Sequence, residues 1–221
     1  MVRATFDKHL KELQDEMLTM GSMAEKAIDR SLEALKKRDL ALARQIINDD
    51  TAIDMKRFEI EERGIELIAS QQPAAKDLRV IMVILNAITE MEQMADHAEG
   101  IAKITLLLGD EPPLKPLVDI PRMATKATSM LHRSLTALIE QDIAAAKEIS
   151  AEDDEVDNLY DQVYRELLIF MLQDPKTITR ATYLLWVAHN LERIADRVTN
   201  ICERIVFLVN GKYEDLNISK Y

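Results

Sequence analysis

The chain is 221 residues long, 48% hydrophobic and 30% charged, with 5 Gly, 6 Pro, 1 Cys and 5% aromatic residues. That length suits one large domain or two of about 100 residues each, and so little Gly and Pro excludes collagen-like and low-complexity chains and disfavours sandwiches and barrels. With 39 Asp and Glu against 28 Lys and Arg, the net charge of −11 argues against nucleic acid or an anionic membrane as a primary partner and leaves cations and basic protein patches.

Apolar residues recur with helical spacing almost throughout, and six helices follow from their punctuation. In the first, 5–37, Leu10, Leu13, Met17, Met20, Ala24, Ala27, Ser31 and Leu35 alternate steps of three and four, the seam of a helix in a bundle. Arg38-Asp39-Leu40 interrupts the run and offers Asp39 as N-cap of a second helix, 40–71. Pro73 opens a third, 73–108, which Gly109 closes after Leu106-Leu107-Leu108. Pro112, Pro113, Pro116 and Pro121 crowd residues 109–121, read as an ordered linker. The fourth helix, 120–140, ends at Gln141, and Asp142 caps a fifth, 143–172. Pro175 opens the sixth, 175–209, with Gly211 as its C-terminal cap.

The punctuation repeats. Pro73 and Pro175 are 102 apart, as are Gly109 and Gly211, and Asp39 and Asp142 are 103 apart. An offset of 103 also pairs Ser31 with Ser134, Leu32 with Leu135, Ala43 with Ala146 and Ile46 with Ile149; after the next turn an offset of 100 pairs Ala95 with Ala195 and Ile101 with Ile201. The expected fold is all-α: two tandem, pseudo-symmetric three-helix bundles, residues 1–112 and 113–221.

Four acidic pairs stand at matching places: Asp50 and Asp54 with Asp153 and Asp157, Glu92 and Asp96 with Glu192 and Asp196. A spacing of four puts both carboxylates of a pair on one helix face. Asp50 and Asp54 extend the row Ala43, Ile46 toward Phe58, and Glu92 and Asp96 extend the row Ile81, Leu85, Ile88 through Ala95. Like charges at this spacing repel, and carboxylates beside a core lose hydration, so the pairs call for a cation. Folding the second and third helices about Gln72–Pro73 sets Asp50 opposite residue 95 and Asp54 opposite 91. A turn at Asp174 sets Asp153 opposite 195 and Asp157 opposite 191. Neighbouring axes ~8–10 Å apart then let four carboxylates per half converge. An all-oxygen set suits iron, Mn, Mg or Ca, with Zn also admissible, and bridging carboxylates can hold more than one ion. The competing reading is neutralisation by basic side chains such as Arg193 or Arg197.

His97 follows Asp96, and His189 sits one turn before Glu192, either joining the second site or serving as an interior residue. His189-x-x-Glu192 reverses the Glu-x-x-His order of di-iron bundles, which weakens a redox-enzyme reading. Tyr164, Tyr183 and Trp186 read as core aromatics. The lone Cys202 closes no intrachain disulfide and builds no thiolate cage. No apolar signal core follows Met1-Val2-Arg3-Ala4-Thr5-Phe6, and the longest apolar runs (80–85, 167–172 and 183–188) fall far short of a span. A soluble, cytoplasmic protein with at most peripheral membrane association is expected. No phosphate loop, nucleophile elbow or Ser-His-Asp set is present, so no catalytic residues are assigned.

Two tandem three-helix repeats, each carrying D/E-x-x-x-D pairs on its second and third helices, resemble the PhoU family. The carrying segments are Phe6-Asp7-Lys8-His9-Leu10, Met20 through Ile28, Glu92-x-x-x-Asp96 within 88–101, and Glu192-Arg193-Ile194-Ala195-Asp196-Arg197-Val198-Thr199-Asn200-Ile201. The resemblance implies a non-catalytic regulator of phosphate uptake that links an ABC phosphate transporter ATPase to a membrane sensor histidine kinase and represses the phosphate-starvation response. It implies homodimers and metal, in some members multinuclear, held at Asp50, Asp54, Glu92, Asp96, Asp153, Asp157, Glu192 and Asp196. The alternative is a carboxylate-bridged metalloenzyme, an oxidase or phosphoesterase, with His97 or His189 as its acid or base. The halves differ nearby: Glu90 becomes Asn190, His97 becomes Arg197, Glu99 becomes Thr199 and Gly100 becomes Asn200, so two unequal sites are expected.

Overall fold

The computed structural model describes residues 2–216; residue 1 and residues 217–221, the outer ends of the two repeats read from the sequence, lie outside the described residues. Seven α-helices run in chain order: α1 Val2–Lys37, α2 Leu40–Gln71, α3 Ala75–Leu108, α4 Asp119–Glu140, α5 Ile143–Ala151, α6 Asp153–Gln173 and α7 Ile178–Asn210. Among the described residues there is no strand, and no helix is long and apolar enough to cross a membrane.

The breaks are built from the expected chemistry, twice over. Asp39 accepts from Leu42 N at 2.9 Å and Asp142 from Ala145 N at 3.0 Å. The left-handed residues before these caps are Arg38 (φ 55°) and Gln141 (φ 56°). Ser31 and Ser134 each turn their hydroxyl back to a carbonyl three residues earlier, at 2.8 Å in both cases. Gly109 and Gly211 end α3 and α7 with φ of 57° and 70°. Pro73 does not open a helix: left-handed Gln72 caps α2, and α3 starts only at Ala75. Pro175 opens a 3-10 turn, Pro175–Thr177, capped by the Asp174 side chain, which accepts from Lys176 N.

The fifth helix of the sequence reading is divided in two at Glu152. The carboxylate of Glu152 accepts from Arg133 at 2.6 Å and lies 2.7 Å from Lys126, while the backbone passes through a tighter turn, Glu155 N to Glu152 O at 3.0 Å. Burial raises the Glu152 carboxyl, but these two bases overcome it and hold the group below its ordinary range. The same tie exists in the first half, where Arg30 reaches Asp49 at 2.7 Å without breaking α2. Only the second copy has a second base on its acid.

Each half is a three-helix unit, and the third helices, α3 and α7, pack against each other antiparallel, His97 meeting Asn190 and Glu90 meeting Arg197. One continuous apolar core therefore runs through both halves, from Met17 and Ile88 to Leu131, Val163 and Ile205. Leu10 and Ala27 of the predicted α1 seam are only partly buried at its rim. The aromatic reading is corrected: Trp186 is 50% exposed, Tyr164 is exposed too, and Tyr183 rests half-buried 5.7 Å from the Trp186 ring. Leu184, Val187, Ala188 and Leu191 already fill that face of α7.

Close approach needs glycine at Gly21, where a Cβ would stand 3.3 Å from Met91 Sδ and in collision with the buried Leu135 side chain. Three added carbons cannot be absorbed in that packing, so Gly21→Val is expected to cost ~3 kcal/mol, near the upper end of ordinary overpacking. Calorimetry should show the melting temperature falling by roughly 6–12 °C.

Candidate functional site

In the first half, α2 carries Asp50 and Asp54 toward Asp96 on α3. One carboxylate oxygen of each lies within 4.8 Å of the other two. Oxygens on opposite sides of a hard cation stand up to ~5 Å apart, so small side-chain adjustments would bring these three onto one ion. The electrostatics agree: desolvation and then Asp96 push the Asp50 carboxyl up to about 6, and Asp96 is raised by desolvation and by Asp54. Glu99, one turn beyond Asp96, adds its own repulsion to both. Its counter-ion is Lys103, at 2.5 Å. The sequence reading missed these two as site residues, although Glu99 lies on the Asp96 face by its spacing of three.

Glu92 does not join the three. It lies 4.0 Å from Arg57 Nε. Arg57 faces Glu92, and Leu85 faces Gly64, about one turn further along the hairpin than equal rise places them. Side chains lean toward the N-terminus of their own helix, which in an antiparallel pair displaces contacts in this direction. The expectation that Asp50 and Asp54 continue a buried row to Phe58 is also corrected, since Phe58 is 53% exposed with Arg57 4.7 Å above its ring. Steps of four advance the azimuth by ~40° each, so the row leaves the core by the time it reaches Phe58.

In the second half, Asp153, Asp157, Glu192 and Asp196 line one cavity of about 790 Å³ between α6 and α7. Asp154, Asp161, Glu203 and Asp215 line it as well, and Arg193, which holds Asp196 at 2.5 Å, is the one basic residue among the described lining residues. Asp153, at the start of α6, is only 3% exposed. Glu192 Oε2 is buried with no hydrogen-bond donor, the His189 ring nitrogen being 3.4 Å away. Desolvation, then Asp196, lifts the Glu192 carboxyl to about 7. An orphaned anionic oxygen beside further carboxylates is an arrangement a hard cation satisfies. His189 is not interior: its side chain is 57% exposed and packs against Tyr160, ring centroids 6.2 Å apart. The halves are thus unequal, a tight triad in one and a wide acidic cavity in the other. At matching positions Arg57 becomes Tyr160 and Lys103 becomes Glu203, so these two bases have no basic counterpart at their places in the second copy.

The neighbouring differences between the halves meet each other across the α3–α7 contact. Asn190 bonds His97 Nδ1 at 2.9 Å and stands 3.1 Å from where a Cβ on Gly100 would be. Glu90 receives Asn200 at 3.1 Å and Arg197 at 3.4 Å. Arg197 is therefore no counter-ion for the acidic sites. Desolvation lowers the His97 imidazole, which is engaged with the other half. Cys202 is buried, and desolvation pushes its thiol up to about 12, so it is no nucleophile.

The PhoU domain model matches residues 17–105 and 120–205. Two similar proteins are both called phosphate-specific transport system accessory protein PhoU homolog. That of Clostridium acetobutylicum is 43% identical over 98% of this chain and 100% of its own, and that of Aquifex aeolicus is 42% identical over 93% of each. The crystal structure of PhoU from Pseudomonas aeruginosa superposes with a TM-score of 0.88 at 30% identity, covering 94% of this chain and all of that one. The phosphate transport system regulatory protein PhoU of Streptococcus pneumoniae gives 0.88 at 32% identity, covering 95% and 99%.

Proposed function

The chain belongs to the PhoU family, and on that premise we propose that it is an accessory regulator of phosphate transport, a cytoplasmic, non-catalytic helical adaptor that binds metal. It links the ATPase of an ABC phosphate transporter to a membrane sensor histidine kinase and represses the phosphate-starvation response. The observation that carries the transport role is the match over both halves and nearly the full length to proteins bearing that name. Basic cytoplasmic loops of membrane proteins are fitting partners for a chain of net charge −11.

The metal reading rests on the side chains. Asp50, Asp54 and Asp96 would hold an ion in the first half; Asp153, Asp157, Glu192 and Asp196 would surround one or more in the second. Glu92 belongs to the first site only as an outer group, with Arg57 as its own counter-charge 4.0 Å away. A bound cation supplies neutralisation that fastens α2 to α3 and α6 to α7. The iron, Mn, Mg, Ca and Zn alternatives share this oxygen chemistry. The adaptor reading is favoured over an oxidase or phosphoesterase by His97, whose Nδ1 is already engaged by Asn190 of the other half.

Three measurements test the proposal. Cells lacking the gene are expected to express a phosphate-starvation reporter in phosphate-rich medium, and the purified chain is expected to retain the transporter ATPase and the sensor kinase in a pull-down. Normal repression in the deletion, with neither partner retained, would refute the regulatory role. Elemental analysis of protein purified without chelator tests the metal, and loss of an iron, Mn or Zn signal on Asp54→Asn identifies its place.

A further inference from the structure

In a chain of net charge −11, one end of the bundle gathers basic residues. The turn between α1 and α2, the start of the linker and the first turn of α7 meet there. Leu106, near the end of α3, packs on the cluster of Ala34, Ala43 and Ala102, which sets that turn beside the linker. α1 ends in Lys36 and Lys37, and Arg38 follows with φ 55°. Arg38 Nη1 is buried and has no acceptor among the described residues. Arg180 of α7 reaches the same place from the other half. Its Nη1 donates to the Pro112 carbonyl at 3.2 Å, and its Nε lies 3.4 Å from Glu111 Oε2. Burial, and after it the charge of Arg180, lowers the Arg38 guanidinium from its ordinary range, while Glu111 pulls the other way. Two guanidiniums thus share one carboxylate, itself 67% exposed. The turn does not call for arginine: at the matching place in the second half Gln141 takes the same conformation, φ 56°.

We propose that Arg38 and Arg180 form a binding site for inorganic phosphate at this end of the bundle. A buried donor without an acceptor carries its full desolvation penalty, and a second like charge beside it adds repulsion; an oxyanion relieves both. The guanidinium fork suits a tetrahedral oxyanion, which it can grip through two parallel hydrogen bonds. The choice of phosphate builds on the transport role proposed above, and the side chains supply a reason of their own. Phosphate near neutral pH still carries protons, whereas sulfate carries none. Two acceptors stand beside the guanidiniums, the Glu111 carboxylate and the Pro112 carbonyl. Phosphate can donate to them, but sulfate meets the Glu111 charge with no proton to offer. A site that hydrogen-bonds a ligand's O–H rejects the analogue lacking it. Because the two arginines belong to different halves, a bound anion also ties the α1–α2 turn to α7 and the linker.

Calorimetric titration of the full chain with sodium phosphate and with sodium sulfate, at constant ionic strength, tests the site. Phosphate is expected to bind, and sulfate to bind ~10-fold or more weakly. Arg38→Gln copies the side chain that the second half carries at this turn, and is expected to weaken phosphate by ~10-fold or more, the effect of one lost charge-assisted hydrogen bond. Arg165→Gln removes a guanidinium that is 74% exposed on α6 and is expected to leave both titrations unchanged. Glu111→Gln, at an exposed position that folding does not depend on, should admit sulfate and erase most of the preference. Phosphate bound equally by the unaltered chain and by Arg38→Gln would overturn the site. Sulfate bound as tightly as phosphate, or no phosphate bound at millimolar concentration, would overturn it as well. The regulatory role is judged separately, by the starvation reporter in cells lacking the gene, so failure of the site leaves that reading standing.

Discussion

Metal-free protein is expected to lose stability as the pH rises from about 4.5 to about 7, and Glu192→Gln to abolish most of that loss. The folded-state carboxyl of Glu192 titrates near 7, against 4.5 for its ordinary value. Between those values the native state holds a proton that the unfolded chain has released, so stability falls with pH across this window and is level above it. The shift corresponds to ~3 kcal/mol if fully expressed; the side chain is 20% exposed, and solvent screening reduces the expected effect to ~1–2 kcal/mol. Asp50, raised from 3.8 to about 6, adds a contribution of the same sign at lower pH. Chelator-treated Glu192→Gln should therefore melt roughly 2–8 °C above the unaltered chain at pH 8, and together with it at pH 4. Equal melting at both pH values would mean that Glu192 is not held in an anion-repelling site. Saturating Mn2+ should have the effect of the substitution, because the cation replaces the missing proton.

Single charge removals are expected to affect the two halves unequally. Asp54→Asn takes one of three oxygens whose mutual distances suit one ion, and should weaken Mn2+ there by ~100-fold or more, about 2.7 kcal/mol. Asp157→Asn leaves seven carboxylates around a cavity of about 790 Å³ and should cost less than ~10-fold. Paramagnetic resonance of Mn2+ resolves free from bound ion and measures both. Equal losses in the two variants would contradict the difference drawn between a tight triad and a diffuse acidic cavity. The replacement of Arg57 by Tyr160 and of Lys103 by Glu203 points the same way, since those bases compete with a cation only in the first half.

Local chemistry was readable from the residues themselves. Asp39 and Asp142 cap the helices they precede, and Gly109 and Gly211 end the helices they follow, because capping depends on groups a few positions apart in the chain. The duplication was readable for the same reason: it is a comparison of the chain with itself. The acidic pairs were readable as far as one helix face goes, since a spacing of four fixes that face without reference to anything else. Residue pattern alone thus sufficed for an all-α, twice-repeated fold with carboxylates gathered on the second and third helices of each copy. Which carboxylates meet depended on how the helices pack. The displacement of α3 along α2 by about a turn joined Asp96 to Asp50 and Asp54 and left Glu92 to Arg57. Contact between α3 and α7 paired His97 with Asn190 and Arg197 with Glu90 across the halves, so Arg197 does not neutralise the acidic sites. The bend at Glu152 and the return of Tyr213 onto Phe207 depended on Lys126, Arg133 and Arg204, long side chains with several acids in reach. Exposed ion pairs are worth ~0–1 kcal/mol each, so spacing along the chain cannot choose among them, and the choice falls to the packing of apolar faces, which sets helix height and azimuth first.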